Sequence, residues 1–316
     1  MAWLTLTRKQ RRATASTKLH NVRSVSVQRS GLERLLLRDR AIVIGSLLAI
    51  IVTSWLYVLA GAGTGMSGWD MSSLGMALGW ADQKETMGMS SGMATTMTSM
   101  ATPAVWTLRY AVLMFFMWWV MMLAMMLPSA APMILLHAMV DRKNRQRAGK
   151  SGGVLSSAVF SSGYLLAWGL FSLAAVALQW SFELSGFLSP SMMNATNTGF
   201  AGIILLVAGA WQLTPLKQAC LKHCQGPLQY LTLHWRSGTW GTFRMGLQHG
   251  AYCLGCCWGL MGILFFGGIM NLYWIIGLAV IVLLEKALPI GPLISKITGG
   301  LLLVWGGVFV YAALVS

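Results

Sequence analysis

Long apolar runs separated by short polar, basic or glycine-rich stretches set the pattern of this chain. The first run covers 41–60, and about 20 residues are enough for a helix to cross a hydrocarbon core of about 30 Å. A second covers about 105–127 and stays largely apolar to Met139; a third covers about 154–180, and a fourth about 199–213, stopping at Pro215. The fifth covers about 246–269, and Asn271 turns the chain into a sixth that ends at Glu285-Lys286. A glycine-rich seventh, about 297–315, follows Pro289. The pattern predicts an all-α polytopic membrane bundle of about seven transmembrane helices. Pro128 and Pro132 are expected to interrupt the second helix and to free backbone carbonyls there.

Composition agrees: 56% of the 316 residues are hydrophobic and 10% are charged, which excludes a soluble domain. The formal net charge of +15 does not point to nucleic acid, because the basic residues flank the apolar runs. Arg8, Lys9, Arg11, Arg12, Lys18, Arg23, Arg29, Arg34, Arg38 and Arg40 crowd the first 40 residues, and further basic groups fill 141–150 and 215–245. The loops 61–104 and 181–198 hold Lys84 as their one basic residue. Lys and Arg stay on the cytosolic side and contact anionic lipid, so seven spans place the N-terminus in the cytosol and the C-terminus in the periplasm. Residues 1–40 are then a basic cytosolic arm, 41–60 a first anchor, 61–104 an external loop, and 105–316 a six-helix membrane domain.

Soft ligands are concentrated along this frame. The external loop carries Met66, Met71, Met76, Met87, Met89, Met93, Met97 and Met100 in a Gly/Ser/Thr-rich context. Thioether sulfur prefers Cu(I) and survives in an oxidising compartment, so Met87 and Met89 read as part of a copper-collecting loop; a Met-rich segment lying on the bilayer is the other reading. On the second span, Met114, Met117, Met121 and Met125 fall within about 80° of one another at 100° per residue, with Met122 and Met126 beside them. Such a stripe is also what ordinary packing looks like.

The five cysteines all follow residue 219, which does not resemble a secreted disulfide framework. Three of them, Cys253, Cys256 and Cys257, sit on the fifth span with His249, and His249, Cys253 and Cys256 project within about 60°. Cys220, His223 and Cys224 precede that span in the basic connector. With the predicted topology, Met121, Met125 and Met126 and these cysteines share the cytosolic end of the bundle. Cu(I) accepts two to four sulfur ligands, whereas zinc favours a closed tetrahedral Cys/His set. Cys220-x3-Cys224 with Cys253-x2-Cys256 could form a four-sulfur zinc site, but the surplus of methionine favours copper. Glu285-Lys286 near membrane depth is either functional or an ion pair whose lysine reaches for the interface.

Trp118-x2-Met121-x2-Ala-Met-Met-Leu-Pro128-Ser-Ala-Ala-Pro132-Met133, Tyr252-Cys-Leu-Gly-Cys-Cys-Trp258-Gly-Leu-Met261, Asn271-Leu-Tyr-Trp274 and Leu283-Leu-Glu285-Lys286 together resemble a bacterial integral-membrane family described as metal-binding. Some of its members are membrane copper chaperones for tyrosinase-type copper oxidases. The resemblance covers about 105–315 and implies a multi-pass protein of the bacterial inner membrane. It also implies copper held by Met121, Met125 and Met126 with Cys253, Cys256 and Cys257, and a copper-donating or copper-accepting partner, within or beside a multisubunit membrane complex. The arm and the Met-rich loop lie outside it.

No glycine loop for nucleotide binding and no constellation for hydrolysis, phosphoryl transfer or hydride transfer is visible, so an ordinary enzyme is not expected. Two other readings stay open. Cys253-Leu-Gly-Cys256 has the spacing of a thiol–disulfide oxidoreductase, although no cysteine is predicted on the outer face. Glycines 255, 259, 262, 267, 299 and 306 would let helices approach closely, as an accessory subunit of a larger oxidase or oxygenase requires.

Overall fold

In a computed structural model of the chain, the described residues are 41–63, 72, 106–147, 154–189 and 193–315. They are helical apart from connecting turns and one isolated bridge between Leu188 and Ala195. The basic arm and nearly all of the Met-rich loop lie outside them. The chain parts into two units, 1–46 and 47–316; the described part of the first is the opening of helix α1 (Ala41–Leu59).

The second unit continues α1 and holds α2 (Leu108–Arg147), α3 (Val154–Leu184), α4 (Thr198–Leu213), α5 (Pro215–Gln225), α6 (Pro227–His234), α7 (Thr239–Gly262), α8 (Leu264–Gly267), α9 (Leu272–Ala287) and α10 (Gly291–Val315). Among the described residues, five helical stretches are long and apolar enough to cross a membrane: α1, α2, α3, α7 with α8, and α10. The bent pair α4–α5, with a 64° break, makes up to six. The expected sixth span is α9, whose 16 residues extend about 24 Å at 1.5 Å per residue, short of a full hydrocarbon core.

Local chemistry explains most of the boundaries. Asn197 caps α4, its side-chain oxygen accepting from the amides of Gly199 and Phe200. Thr214 ends α4 and caps α5 through the amide of Lys217, with Pro215 in the first turn where its missing N–H costs nothing. Asn271 caps α9 through the amide of Tyr273. Gly238, at φ 86°, supplies the left-handed turn before α7.

Two expectations change. Pro128 and Pro132 lie inside α2, and the helix runs through both to Arg147. The two prolines withdraw the amides that would reach the carbonyls of Ala124 and Pro128, which a membrane helix tolerates when it is packed among neighbours; between those two positions the hydroxyls of Ser129 and Tyr164 donate to the carbonyl of Met126, at 2.8 and 3.5 Å. The cysteine helix also starts earlier than 246, at Thr239, because its polar first turns carry no apolar signal.

α7 is the central helix of the bundle: 67% of its apolar window is buried, against 22% for α1 and α10. It packs on α3 without intervening side chains. A Cβ on Gly246 would meet the carbonyl oxygen of Phe160, and one on Gly250 would lie 2.6 Å from the Cβ of Ala167. α4 and α10 pair in the same manner through Gly202 against Gly306 and Gly209 against Gly299, with 2.9 to 3.1 Å from each virtual Cβ to the opposing carbonyl. Gly299 and Gly306 therefore serve close helix contacts. Gly255 and Gly259 instead make room for Cys220 and Trp211, and nothing lies within 4 Å of a Cβ at Gly262.

Candidate metal centre

The third to fifth turns of α7 meet α2, α3, α5 and α9 around the cysteines. Cys253, Cys256 and Cys257 are all buried. Because side chains at i+3 and i+4 lie over the same helical face, the thiols of Cys256 and Cys257 both fold back toward the carbonyl oxygen of Cys253, at 3.0 and 2.9 Å. Each also meets a sulfur on another helix. Cys257 Sγ lies 3.8 Å from Met126 Sδ on α2, and Cys256 Sγ lies 4.0 Å from Cys224 Sγ on α5. Cys253 Sγ takes a third direction, 3.2 Å from the hydroxyl of Tyr164 on α3.

A lysine completes the cluster. Lys286 Nζ donates to Cys253 Sγ at 2.9 Å and to Ser129 Oγ at 3.4 Å, and approaches Met126 Sδ at 4.0 Å. Its neighbour Glu285 faces elsewhere. Lys217 Nζ donates to both Glu285 oxygens at 3.0 and 2.9 Å, and Gln212 Nε2 donates to one of them at 3.0 Å. Lys217 and Glu285 are 0% and 1% exposed at the side chain, so this is an ion pair within the packed bundle. Glu285 thus pairs with Lys217 rather than with Lys286, and Lys286 turns inward instead of reaching for the interface. Residues one apart on a helix differ by about 100° and do not face each other.

Other residues expected at the site are placed as follows. Met121 and Met125 are buried on α2, about 100° around the helix from the line of Met122 and Met126. Cys220 is half-buried on α5, its sulfur 2.8 Å from where Gly255 would carry a Cβ. His249 is buried beside Tyr164, with ring centroids 6.0 Å apart, and its Nδ1 has no hydrogen-bond partner among the described residues. His223 is stacked on Tyr252 at 4.2 Å. Met87 and Met89 lie outside the described residues.

Among the described residues, no group of three or more His, Cys, Asp or Glu side chains is arranged to hold a metal ion. Beside the Cys257–Met126 and Cys224–Cys256 contacts, the thiol of Cys257 also neighbours those of Cys253 and Cys256, so the sulfurs form a chain of near neighbours rather than the closed four-ligand set that zinc takes. Paired sulfur is sufficient for a softer, lower-coordinate ion. Tyr164, Ser129, Lys217 and Gln212 escaped the sequence reading, since each is an ordinary residue type until the fold places it.

A family model described as "PpoB2: Copper chaperone" matches residues 115–309. The match takes in every helix of this site and leaves the arm and the Met-rich loop outside. No curated protein and no solved structure matches the chain.

Proposed function

The chain belongs to the PpoB2 copper chaperone family, and from that premise we propose that its cargo is Cu(I), carried on the sulfur pairs of α2, α5 and α7 and passed to a copper-dependent oxidase or oxygenase. The observation that carries this reading is the spacing of two sulfur pairs in a buried site: 3.8 Å for Cys257–Met126 and 4.0 Å for Cys224–Cys256. Metal–sulfur bonds of roughly 2.3 Å separate two sulfurs by about 4.0 Å when they meet at a trigonal angle. Each pair is therefore spaced to share one soft ion. Cys253, Cys256 and Cys257 stand within about one helical turn, with the thiol of Cys257 beside the other two, so an ion moves between pairs by gaining a third sulfur before losing one, never leaving sulfur.

Charge supports the same reading. Cu(I) held by two thiolates carries a net negative charge, and a lone charge inside a bundle is costly. The ammonium of Lys286, 2.9 Å from Cys253 Sγ, offsets it. Met121 and Met125, buried on α2, continue the stripe of soft ligands on that helix. The Met-rich loop, with Met87 and Met89, collects or releases copper on the outer face. The basic residues of 141–150 and 215–245 support a cytosolic position for the sulfur cluster and for the N-terminus in the bacterial inner membrane; seven crossings require the short α9 to complete one. The role is that of a carrier rather than a catalyst.

The test is metal content by mass spectrometry on detergent-purified protein prepared with reductant, comparing wild type with Cys253→Ser/Cys256→Ser/Cys257→Ser. Near-stoichiometric copper in wild type and its loss in the triple variant are expected. Zinc in place of copper, or copper retained by the triple variant, would overturn the assignment.

A further inference from the structure

Four of the chain's five histidines, His137, His223, His234 and His249, fall in one aromatic layer beside the sulfur cluster. His137 stacks on Phe160 at 4.5 Å, and His249 lies 5.5 Å from Tyr230. His234 stacks on Tyr230 at 4.8 Å, and His223 stacks on Tyr252 at 4.2 Å. His137 and His249 are buried, but His223 and His234 are half-buried and stand close together, their ring centroids 6.2 Å apart.

This last pair has the features of a ligand pair. The Nδ1 of His223 lies 2.9 Å from the carbonyl of Ala219, and that of His234 lies 3.2 Å from the carbonyl of Tyr230. A carbonyl can only accept, so each ring carries its proton on Nδ1 and leaves Nε2 as a bare lone pair. Metal-binding histidines are commonly held by this device, the second ring nitrogen donating to a backbone carbonyl and fixing the tautomer. The planes are fixed as well, at 7° to Tyr252 and 15° to Tyr230. Tyr230 is in turn anchored by its hydroxyl, which donates to the carbonyl of Met245 at 3.0 Å.

The spacing suits one metal between the two rings. Bonds of roughly 2.0 Å, with roughly 1.1 Å more from nitrogen to ring centre on each side, give about 6.2 Å between centroids for a linear arrangement. The 66° between the ring planes is no obstacle, since rings on a common metal axis are free to twist about it. Imidazole is a good ligand for copper, and His223 is followed directly by Cys224, whose sulfur faces Cys256 at 4.0 Å.

We infer that His223 and His234 form a second, nitrogen-ligated copper site at the mouth of the sulfur cluster, where the ion is exchanged with a partner before or after it is held on sulfur. Its position and chemistry fit that role. Half-exposed imidazoles can be reached by another protein, whereas Cys253, Cys256 and Cys257 cannot. Neutral imidazole holds Cu(I) less tightly than thiolate does, so a pair of them is suited to transit.

The inference rests on copper as the cargo but not on which sulfurs hold it. The experiment is X-ray absorption at the copper edge on detergent-purified full-length protein, loaded anaerobically from a Cu(I)–bicinchoninate complex until uptake stops. Wild type, His223→Phe, His234→Phe and His234→Gln are compared. Phenylalanine keeps the stack on tyrosine and removes both nitrogens; glutamine is the control should phenylalanine disturb folding. Wild type should take more copper than the variants and show imidazole scattering together with sulfur. Each variant should lose the imidazole shell, keep the sulfur shell, and exchange copper with the chelator at least tenfold more slowly. A sulfur shell alone in wild type, or imidazole scattering unchanged by all three substitutions, would overturn this site while leaving the sulfur site standing. Wild type that takes up no copper would overturn both.

Discussion

Replacing one member of the Lys217–Glu285 pair tests whether the buried charges hold α5 and α9 together around the sulfur cluster. At the observed contacts of 2.9 and 3.0 Å, the Coulomb attraction is about 5 to 6 kcal/mol at an effective dielectric constant of about 20. The cost of burying both ions offsets much of it. Lys217→Met leaves Glu285 buried with only the amide of Gln212, and Glu285→Met leaves Lys217 with no carboxylate. Stranding a buried charge costs about 3–5 kcal/mol, equivalent to a drop of about 6–20 °C in midpoint for a domain of this size. The double variant removes both charges and should recover most of the loss. It would still leave the Gln212 amide, which now donates to Glu285 at 3.0 Å, without that partner, a residual cost of about 1–3 kcal/mol; adding Gln212→Leu should remove that too. Thermal unfolding of the five detergent-purified proteins, wild type included, followed by tryptophan fluorescence, provides the midpoints. Single variants as stable as wild type, or a double variant as poor as the sum of the singles, would refute the argument.

Lys286→Leu keeps the buried volume but removes the ammonium 2.9 Å from Cys253 Sγ; at about 1.5–3 kcal/mol for a charge-assisted contact, Cu(I) retention against a competing chelator should fall about 10- to 150-fold, and unchanged retention would show that the lysine does not stabilise the loaded site. Gly250→Val should push α7 off α3, since even a Cβ there would lie 2.6 Å from that of Ala167; an overpacking cost of at least about 1–3 kcal/mol is expected as a lower unfolding midpoint, with Gly262→Val, where nothing lies within 4 Å of the Cβ, as the neutral control.

The helices were legible because lipid-facing and core-facing positions are both apolar, which leaves long uninterrupted runs. The cysteine helix stood out because three thiols within five residues share a face by periodicity alone. Which sulfur of α2 meets them was less legible. The stripe through Met121 and Met125 marks one face of that helix, but it is Met126, just off the stripe, whose sulfur reaches Cys257. Periodicity defines faces, and only the meeting of α2, α7 and α9 decides which face points where. Lys217 and Glu285 are 68 residues apart, and no local pattern pairs them. The separate facing of Glu285 and Lys286, by contrast, was available from helix geometry before any fold was known. The continuous α2 departed from expectation because proline alone did not set its limits, whereas α9 kept the bounds expected of the sixth run and is too short to count as a full span.

The adjacency of Glu285 and Lys286 also restricts how α9 can move. One residue fastens the helix to α5 through Lys217, and the next, 100° around the axis, points at Cys253 on α7 and Ser129 on α2. A roll of α9 in either direction pulls both contacts out of line together, and a slide along its axis by one residue rise does the same. The helix is keyed like a shaft with two flats. It can pivot or part from its neighbours as a whole, but it cannot turn in place. A single inserted residue between Asn271 and Glu285 would put both charges on the wrong faces at once, whereas insertions after Ala287, beyond the key, would leave them where they are.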